Sequence, residues 1–327
     1  MKRLFSGVKP TGDLHLGNYL GAIRQWVDLQ NKYEAVFGIV DYHAMTSFYQ
    51  PAVLQENVFK CACSYLACGL DPERSVLMIQ SQVKYHTELT WILNCLTPVS
   101  WLERVPTYKD KTLQQADNIN LGLLDYPALM TADIIIYKAE IVPVGDDQLP
   151  HIELAREIVR RFNGTFGDTF PEPQGIVGKR VKGLDGADKM GKSLDNCIYL
   201  YETKDQIWAK VSKAVTDPAR IKRTDPGDPE KCNIFTLHKF LSDEDLREKV
   251  VDGCTNASIG CIECKRWLTD NIEMTIAPIR EKYNYYLQNR DKVAEIYRFG
   301  NEKAGIITEQ TMSEVYSRTG LDYDFLK

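Results

Sequence analysis

The first 200 residues of this 327-residue chain alternate between short apolar runs and longer segments whose apolar residues recur at helical spacing. The runs at 3–8, 35–40 and 75–80 have the length of strands, whereas 18–30 and 52–68 have the periodicity of helices. A strand–helix–strand rhythm produces parallel pairing, so the pattern predicts an α/β fold with a doubly wound parallel sheet. Ligands of such sheets bind beyond the carboxyl ends of the strands, and the loops found there are the first candidates for a site.

Composition excludes several classes of protein. With 44% hydrophobic and 26% charged residues, the chain has the make-up of a globular protein and is not disordered over most of its length. A net charge of −5 excludes a globally basic nucleic-acid binder but leaves room for a local basic patch. No apolar run approaches the ~18–20 residues of a membrane helix, and residues 6–10 interrupt any signal peptide. We therefore predict a cytoplasmic protein that binds neither membrane nor DNA.

The character of the sequence changes near residue 200. Strand-like runs stop there, and charged helical patterns take over at 265–286 and 290–315. A loop rich in Pro, Gly and Asp lies between the two parts, at 217–229. We predict an α/β domain at 1–200 and a smaller, all-helical domain at 201–327.

The segment after the first predicted strand has features of a phosphate-binding loop. Gly12 and Gly17 flank His15, and Asn18 lies at the start of a predicted helix. Glycine lets the backbone approach a ligand closely, and a helix N-terminus offers free N–H groups with a partial positive charge. The pattern suits a polyphosphate, although it is neither a Walker A nor a GxGxxG motif. A glycine-rich turn with a buried histidine is the alternative interpretation.

A second candidate phosphate-binding segment lies at 188–193, Asp-Lys-Met-Gly-Lys-Ser. Lys189 and Lys192 could form a mobile cationic clamp for negative charge that develops on phosphate oxygens. A solvated charged loop is the alternative.

Asp133 lies within an otherwise apolar helical stretch, where an ionised carboxylate is costly without a partner. At helical spacing Tyr126, Met130 and Asp133 share one face. A flat apolar substrate with one N–H donor, such as an indole, would fit that face. A helix cap or an internal ion pair for Asp133 is the alternative. Such a polar handle would select strongly against analogues that lack the donor.

The next strand-like run, 142–144, is followed by Gly145, Asp146, Asp147 and Gln148. Gly145 permits close approach of the backbone to a ligand. The two carboxylates could accept hydrogen bonds from ribose hydroxyls, and Gln148 could bind the ends of an amino acid. These residue types suit a nucleotide and an amino acid as ligands.

The two phosphate-binding candidates together resemble a known pair of motifs. Residues 15–18, His-Leu-Gly-Asn, resemble the HIGH motif of class I aminoacyl-tRNA synthetases, and 189–193, Lys-Met-Gly-Lys-Ser, resemble their KMSKS motif. Asn18 replaces the final His, and Gly191 replaces the first Ser. Short matches elsewhere, in order, make the chain similar to the bacterial tryptophanyl-tRNA synthetases over nearly its whole length. That resemblance implies a Rossmann-like catalytic domain followed by a helical anticodon-binding domain.

The resemblance also implies three sets of site residues. Tryptophan would be surrounded by nine residues, among which Asp133 would accept from the indole nitrogen: Phe5, Val40, His43, Tyr126, Met130, Asp133, Val142, Val144 and Gln148. ATP would be held by Lys9, Pro10, Thr11, Gly17, Asn18, Gly145, Asp146, Asp147, Val181, Lys189, Met190, Gly191, Lys192 and Ser193. The catalytic residues would be His15, Asn18, Lys111, Lys189, Lys192 and Ser193.

The reaction implied by the resemblance is attack of the tryptophan carboxylate on the α-phosphorus of ATP. Tryptophanyl-adenylate would form, pyrophosphate would leave, and tryptophan would then pass to the terminal ribose of tRNA(Trp). Positioning and charge stabilisation, with Mg²⁺ on the phosphates, would supply the catalysis. The family is dimeric, and the apolar stretch 91–99 would suit an interface. A small-molecule adenylyltransferase of the same fold, without tRNA, is the alternative, but it leaves the helical C-terminal region without a task.

Four of the nine cysteines form the pattern C-x21-C-x6-C-x2-C: Cys232, Cys254, Cys261 and Cys264. An odd number of cysteines without a secretion signal argues against a disulfide framework. The quartet could hold Zn²⁺ or a [4Fe–4S] cluster, or no metal, and spacing alone does not separate the two metals. The chain resembles a subset of bacterial tryptophanyl-tRNA synthetases in which four cysteines of the C-terminal domain hold a [4Fe–4S] cluster. That resemblance favours the cluster over Zn²⁺.

Basic residues flank the quartet in this acidic protein. Four precede the first cysteine and two follow the last: Lys213, Arg220, Lys222, Arg223, Lys265 and Arg266. Such a local cluster predicts contact with an RNA backbone. A solvated helix face is one alternative, and a redox-sensing role for the cysteines is another.

Overall fold

The computed structural model describes residues 1–114, 116–187 and 189–326; the side chains of Thr107, Asp110, Lys111, Gln114, Ala116 and Ser193 lie outside that description. Five parallel strands form one sheet in the order β3–β2–β1–β4–β5. Their bounds are Arg3–Val8 (β1), Glu34–Ile39 (β2), Val76–Ile79 (β3), Ile141–Val144 (β4) and Gln174–Val177 (β5). The predicted doubly wound α/β fold is confirmed.

Fourteen α-helices connect the strands and form the C-terminal region within the described ranges. In the first part they are Leu16–Asn18 (α1), Arg24–Leu29 (α2), Asp41–Ala44 (α3), Pro51–Ala67 (α4), Tyr85–Asn94 (α5), Val99–Glu103 (α6), Pro106–Gln114 (α7), Leu121–Ile135 (α8) and Leu149–Phe166 (α9). In the second part they are Lys204–Val211 (α10), Asn233–Leu241 (α11), Glu244–Thr255 (α12), Cys261–Gln288 (α13) and Arg290–Thr319 (α14). Across the described residues, no helix is both long enough and apolar enough to span a membrane.

The centre of the sheet is buried because its strands are apolar on both faces, as parallel strands covered by helices must be. Leu4 and Phe37 are fully buried in one core, and Phe5 and Met78 in the other. A π-helical turn, Tyr19–Ile23, joins α1 to α2, so the helical signal at 18–30 corresponds to one nearly continuous helical segment. The direction of every strand leaves its carboxyl end at the same edge of the sheet.

The helical C-terminal region packs back onto the sheet domain. Helix α13 packs along α4, and α14 packs against β3 and α5. Gly300 on α14 makes this approach possible, since a Cβ there would lie 1.9 Å from the carbonyl oxygen of Leu77. The backbone N–H of Ile79 also donates to Asn301 Oδ1 at 2.9 Å. Both hydrophobic cores therefore contain residues from the two sides of the boundary predicted near residue 200. The division into two domains at that residue stays a prediction.

Candidate active site

A crevice opens at the point where the winding of the sheet reverses. Strands β1 and β4 lie side by side at the centre, and the chain proceeds outward from β1 to β3 and from β4 to β5. Ser6 Oγ donates to the carbonyl oxygen of Pro143 at 2.8 Å and holds the two strands together. The crevice has a volume of about 340 Å³, within the range of small-molecule sites. Its position is the one at which doubly wound sheets bind ligands.

All nine residues predicted to surround tryptophan line this one crevice. Phe5 comes from β1, Val40 and His43 follow β2, and three residues lie on one face of α8. The remaining three lie on β4 and in the turn after it. Lys9 and Gly145 of the predicted ATP set line the same crevice. The structure thus brings together side chains that are more than 140 residues apart in the sequence.

Asp133 lies at the base of the crevice and is almost fully buried, with 1% of its surface exposed. Its Oδ1 accepts from Gln80 Nε2 and from His86 Nδ1, both at 2.7 Å. Its Oδ2 lies 2.7 Å from His43 Nε2, at the side of the crevice. Burial alone would raise the pKa of Asp133, but hydrogen bonds from His43 and His86 outweigh it and hold the pKa well below its usual range. The carboxylate is therefore ionised.

Tyr126 forms a second polar contact at the wall of the crevice. Its hydroxyl lies 2.8 Å from His151 Nε2, and its ring meets that of His43 edge-on, with 6.3 Å between centroids. Lys9 Nζ donates to Thr46 Oγ1 at 3.3 Å on the side toward the glycine-rich loop. The crevice therefore has an apolar body with a few fixed polar groups, the usual construction of a selective small-molecule site.

His15 and Asn18 form a reciprocal capping box at the start of α1. His15 Nδ1 accepts from the backbone N–H of Asn18 at 3.3 Å, and Asn18 Oδ1 accepts from the backbone N–H of His15 at 3.1 Å. Burial, together with Lys192 and Lys189 nearby, lowers the pKa of His15 to about 4, so the imidazole is neutral at pH 7. Because Nδ1 accepts, the proton of the neutral ring is on Nε2 and is available to a ligand.

The loop that contains the second motif packs against the first. The backbone N–H of Met190 donates to the carbonyl oxygen of Val181 at 3.0 Å. A Cβ on Gly17 would lie 2.9 Å from Met190 Cβ, so only glycine permits this close contact. Gly191 donates its backbone N–H to Asn196 Oδ1 at 2.8 Å. The loop is thus held through its backbone at the position where the family motif has a serine.

The two lysines of this loop occupy different environments. Lys189 Nζ lies 3.5 Å from Asp147 Oδ1, and both side chains are exposed. Lys192 is half-buried beside Gly12, with its Nζ 3.4 Å from the position of a Cβ on that glycine. Burial lowers the pKa of Lys192, while Asp13 raises it. The side chains of Lys111 and Ser193, also predicted to be catalytic, lie outside the described residues.

Comparison with known proteins decides the family. The family model "tRNA synthetases class I (W and Y)" matches residues 1–277. The tryptophan–tRNA ligase of Deinococcus radiodurans is 45% identical, with 98% of this chain and 99% of the relative covered. That of Thermotoga maritima is 43% identical, with 96% and 97% covered. The chain belongs to the bacterial tryptophanyl-tRNA synthetases of class I.

The fold agrees with that assignment. The crystal structure of the tryptophanyl-tRNA synthetase from Campylobacter jejuni, complexed with ADP and tryptophan, superposes on this synthetase with a TM-score of 0.88. The two chains are 39% identical, and 97% of this chain and 99% of the other are covered. The predicted Rossmann-like class I fold and helical C-terminal region are confirmed.

Several residues of the synthetase site were not predicted from the sequence. Gln80 and His86 contact Asp133, Tyr137 contacts His86, and Asn196 holds the second motif. No local sequence pattern identifies any of these residues as part of the site, because the residue that each one contacts lies on another element or across a loop. A single histidine in a predicted helix, such as His86, has the same sequence pattern whether or not its side chain contacts a carboxylate.

The four cysteines of the quartet line one small cavity in the helical region of the synthetase. Cys232 precedes α11, Cys254 lies near the end of α12, and Cys261 and Cys264 share the first turn of α13. Burial, followed by the charges of the other three cysteines, raises the pKa of Cys264 to about 12. Among the described residues, no group of three or more His, Cys, Asp or Glu is placed to hold a metal ion.

Two of the six basic residues near the quartet face inward. Arg220 is buried, and its Nη1 and Nη2 donate to Cys254 Sγ at 3.5 Å and to the carbonyl oxygen of Ile259 at 2.7 Å. Lys265 is buried as well and donates to the carbonyl oxygen of Ser212 at 2.8 Å. The other four are exposed: Lys213, Lys222, Arg223 and Arg266. Of the six basic residues predicted to contact RNA, only these four therefore have exposed side chains.

Proposed function

We propose that this synthetase is a tryptophan–tRNA ligase. It activates L-tryptophan with ATP to tryptophanyl-adenylate and pyrophosphate, and then transfers tryptophan to the terminal ribose of tRNA(Trp). The observation that carries the proposal is a buried, ionised carboxylate, Asp133, at the base of a mainly apolar crevice. A buried acceptor of that kind rejects a side chain that cannot donate to it by several orders of magnitude.

In this proposal the indole ring lies against Phe5, Tyr126 and Met130, and its N–H donates to Asp133 Oδ2 in place of His43. Oδ1 is already occupied by Gln80 and His86, so Oδ2 is the oxygen left to a ligand. The amino acid's carboxylate then points toward Gln148 and the β4 turn. Tyrosine also carries a donor, its hydroxyl, but on a smaller ring system that would leave part of the crevice unfilled, whereas phenylalanine has no donor for Asp133.

ATP is assigned to the cleft between the two motifs. His15 donates from Nε2, Lys189 and Lys192 stabilise the charge that develops on the β- and γ-phosphates, and Gly145 lets the ribose approach. Asp146 is exposed at the start of the same turn and suits a ribose hydroxyl. No protein nucleophile takes part, because the carboxylate of tryptophan attacks phosphorus directly. Mg²⁺ would arrive on the phosphates, and we assign no protein ligand to it.

ATP–pyrophosphate exchange tests the function. We expect exchange that depends on tryptophan and is lower by about 10³-fold or more with phenylalanine, which cannot donate to Asp133. Exchange should also be lower with tyrosine, whose smaller ring leaves apolar surface of the crevice uncovered. Charging of a total tRNA pool with labelled tryptophan tests the second step. Exchange with tryptophan but no charging would favour a small-molecule adenylyltransferase. Exchange with neither aromatic amino acid would contradict the proposal.

We propose that the quartet holds a [4Fe–4S] cluster. Four thiols that line one cavity supply the Cys₄ ligand set of a cubane. The same four thiols could supply the ligands of a structural Zn²⁺, and the resemblance to the cluster-containing subset of the family is what favours the cluster. Gly227 lies against the quartet, since a Cβ there would lie 2.7 Å from Cys254 Sγ.

In this proposal the cluster braces the region that meets tRNA. Cys232, Cys254 and the α13 cysteines come from three segments that already pack against one another, and a shared cluster would link them covalently as well. The exposed Lys213, Lys222, Arg223 and Arg266 would then be held at one face for the RNA backbone. A redox-sensing cluster would use the same ligands.

Replacing Cys261 with Ser should remove the metal and impair tRNA charging selectively. We expect iron and the absorbance near ~400 nm to be lost, and the rate of charging to fall about tenfold or more, as after loss of one or two RNA contacts. Tryptophan-dependent exchange should fall much less. Iron, sulfide and zinc analysis of anaerobically purified protein, with both assays, measures this. Cys68→Ser, a buried cysteine outside the quartet, is the control.

One result would contradict the cluster, and another would contradict its role in tRNA binding. A colourless wild-type protein with about one zinc per chain would make the quartet a structural zinc site. An equal fall of exchange and charging in Cys261→Ser would point to general misfolding and not to a role in tRNA binding.

We also propose that the synthetase is a homodimer in the cytoplasm. Trp91 is 71% exposed and Val99 is 58% exposed on the apolar stretch 91–99. Large apolar side chains exposed on one short stretch of chain are typical of interaction surfaces. A symmetric dimer would bury this stretch against its own copy.

A further inference from the structure

A buried chain of hydrogen bonds continues from Asp133 away from the crevice. His86 Nδ1 lies 2.7 Å from Asp133 Oδ1, and His86 Nε2 lies 2.9 Å from the hydroxyl of Tyr137. Both His86 and Tyr137 are fully buried. Neither side chain lines the crevice, so neither contacts the substrate in the proposed pose.

The direction of the hydrogen bonds in this chain can be worked out. Asp133 is ionised and can only accept, so His86 must carry a proton on Nδ1. With the one proton of a neutral imidazole on Nδ1, Nε2 is an acceptor, and the hydroxyl of Tyr137, 2.9 Å away, is its donor. Burial, and then the charge of Asp133, raises the pKa of Tyr137 well above its usual value, so this phenol keeps its proton. Each donor in the chain therefore faces an acceptor.

The other donor to Oδ1 has a fixed direction too. Gln80 Oε1 accepts from the backbone N–H of Tyr42 at 3.0 Å, which turns Gln80 Nε2 toward Asp133 at 2.7 Å. Two fixed donors thus saturate Oδ1 from the rear. The carboxylate cannot rotate without breaking both bonds, and Oδ2 is kept at the side of the crevice.

We propose that Tyr137 and His86 are positioning residues for tryptophan selection: the buried phenol partners His86 Nε2 and holds the ring in place, and His86 in turn holds Asp133 with Oδ2 toward the substrate. This inference rests on the proposed role of Asp133 in binding the indole N–H. Without the phenol, the buried Nε2 would lose its partner, and the ring that donates to Oδ1 would no longer be fixed. Asp133 would then be free to turn its carboxylate.

The charged and titratable groups around the chain are few. On α8 and the residues after it they are Asp133 and Tyr137, and on the segment after β2 His43 faces Oδ2. Helix α14 also packs against α5, but the contact there between Tyr316 and Glu88 lies on the exposed side. Phe5 covers the ring of Tyr137, with centroids 5.5 Å apart. Apart from Asp133 itself, His43 is thus the one titratable group among those named that contacts the chain and also lines the crevice.

The test has one measurement on the unaltered protein and one on a variant. The chain has five histidines, so ¹⁵N-histidine labelling resolves their ring nitrogens, and the signals lost in His86→Asn assign His86. We expect His86 to carry its proton on Nδ1, toward Asp133. Tyr137→Phe should raise KM for tryptophan about tenfold, as expected for a buried group left unpaired, with kcat changed by less than about twofold. In that variant the signal of Nε2 should move as its partner is lost, whereas the proton should stay on Nδ1.

Tyr65→Phe is the matched control. Tyr65 is also fully buried, and its hydroxyl donates to the carbonyl oxygen of Gly38 at 3.0 Å, without a link to Asp133. It should lower thermal stability about as much as Tyr137→Phe and leave KM for tryptophan unchanged. His86 with its proton on Nε2 in the unaltered protein would overturn the inference, as would an unchanged KM in folded Tyr137→Phe. Absence of any tryptophan-dependent exchange would instead overturn the proposed function.

Discussion

Replacing Asp133 with Asn is expected to lower kcat/KM for tryptophan in ATP–pyrophosphate exchange by about 10³-fold, or roughly 4 kcal/mol. His43, His86 and Gln80 all direct donors at this carboxylate. An asparagine offers one acceptor and one NH₂ group, so its NH₂ must face a donor. If the NH₂ turns toward the crevice, it meets the indole N–H; if it turns to the rear, it meets His86 and Gln80. Each unpaired buried group costs about 1–3 kcal/mol, and the attraction of the charge is lost as well.

Asp125→Asn on the same helix separates this effect from general damage. Asp125 is half-buried two turns earlier and accepts from Asn94 Nδ2 at 3.1 Å, outside the crevice. We expect its kcat/KM for tryptophan to stay within about threefold of the unaltered value, since one partly exposed hydrogen bond is worth about 1 kcal/mol or less. Thermal melting checks that both variants fold. A folded Asp133→Asn with less than tenfold loss would remove this carboxylate from the recognition of tryptophan.

The fold could be predicted where hydrophobic periodicity was strong. The runs at 3–8, 35–40 and 75–80 became β1 to β3, because buried parallel strands are continuously apolar. The long patterns at 265–286 and 290–315 became α13 and α14. Strand β5, Gln174–Val177, was not predicted, since its four residues are only half-buried or exposed at the edge of the sheet. A short edge strand carries little hydrophobic signal.

The site could be predicted in part from local chemistry. Asp133 was recognised because a carboxylate in an apolar helix must have partners, but the partners themselves, at positions 43, 80 and 86, lie on other elements. Such contacts depend on the crossing of α5 and α8, which no local pattern encodes. Asn18 is a second example. Its place at the start of a helix could be predicted from the sequence, but the capping box that its side chain forms with His15 could not.

For the basic residues near the quartet, the sequence could not predict which side chains are buried. Six of them looked alike in the sequence, as charges beside a cysteine motif. Arg220 is drawn inward because the carbonyl oxygens of Arg223 and Ile259 and the thiol of Cys254 need a donor, and Lys265 because it reaches the carbonyl oxygen of Ser212. Long side chains bury their charge when the backbone around them offers acceptors. Composition cannot tell such residues from those that stay in solvent.

Replacing Lys192 with Met is expected to lower kcat for tryptophan-dependent exchange by about 10²- to 10³-fold, as removal of one preorganised charge stabiliser does. Lys192 is half-buried beside Gly12 and lies near His15 in the cleft between the two motifs. Partial burial strengthens its attraction to the phosphates because fewer water molecules screen it. Methionine keeps the length of the side chain and removes the charge. KM for tryptophan should change little, since Asp133 and the crevice are untouched.

Lys182→Met provides the matched control, because Lys182 pairs through its backbone with Lys189 on the same segment while its side chain is exposed. Removing a charge there should change kcat by less than about twofold, since an exposed lysine is screened by water and salt. The loss of kcat in Lys189→Met should be intermediate between those of the other two variants. Lys189 is exposed and lies 3.5 Å from Asp147, so its side chain must leave that carboxylate before it can reach the phosphates. Equal losses in all three variants would mean that net positive charge near the cleft attracts ATP. A loss confined to Lys192 and Lys189, and seen in kcat, would mean that the lysines act on the phosphates in the transition state.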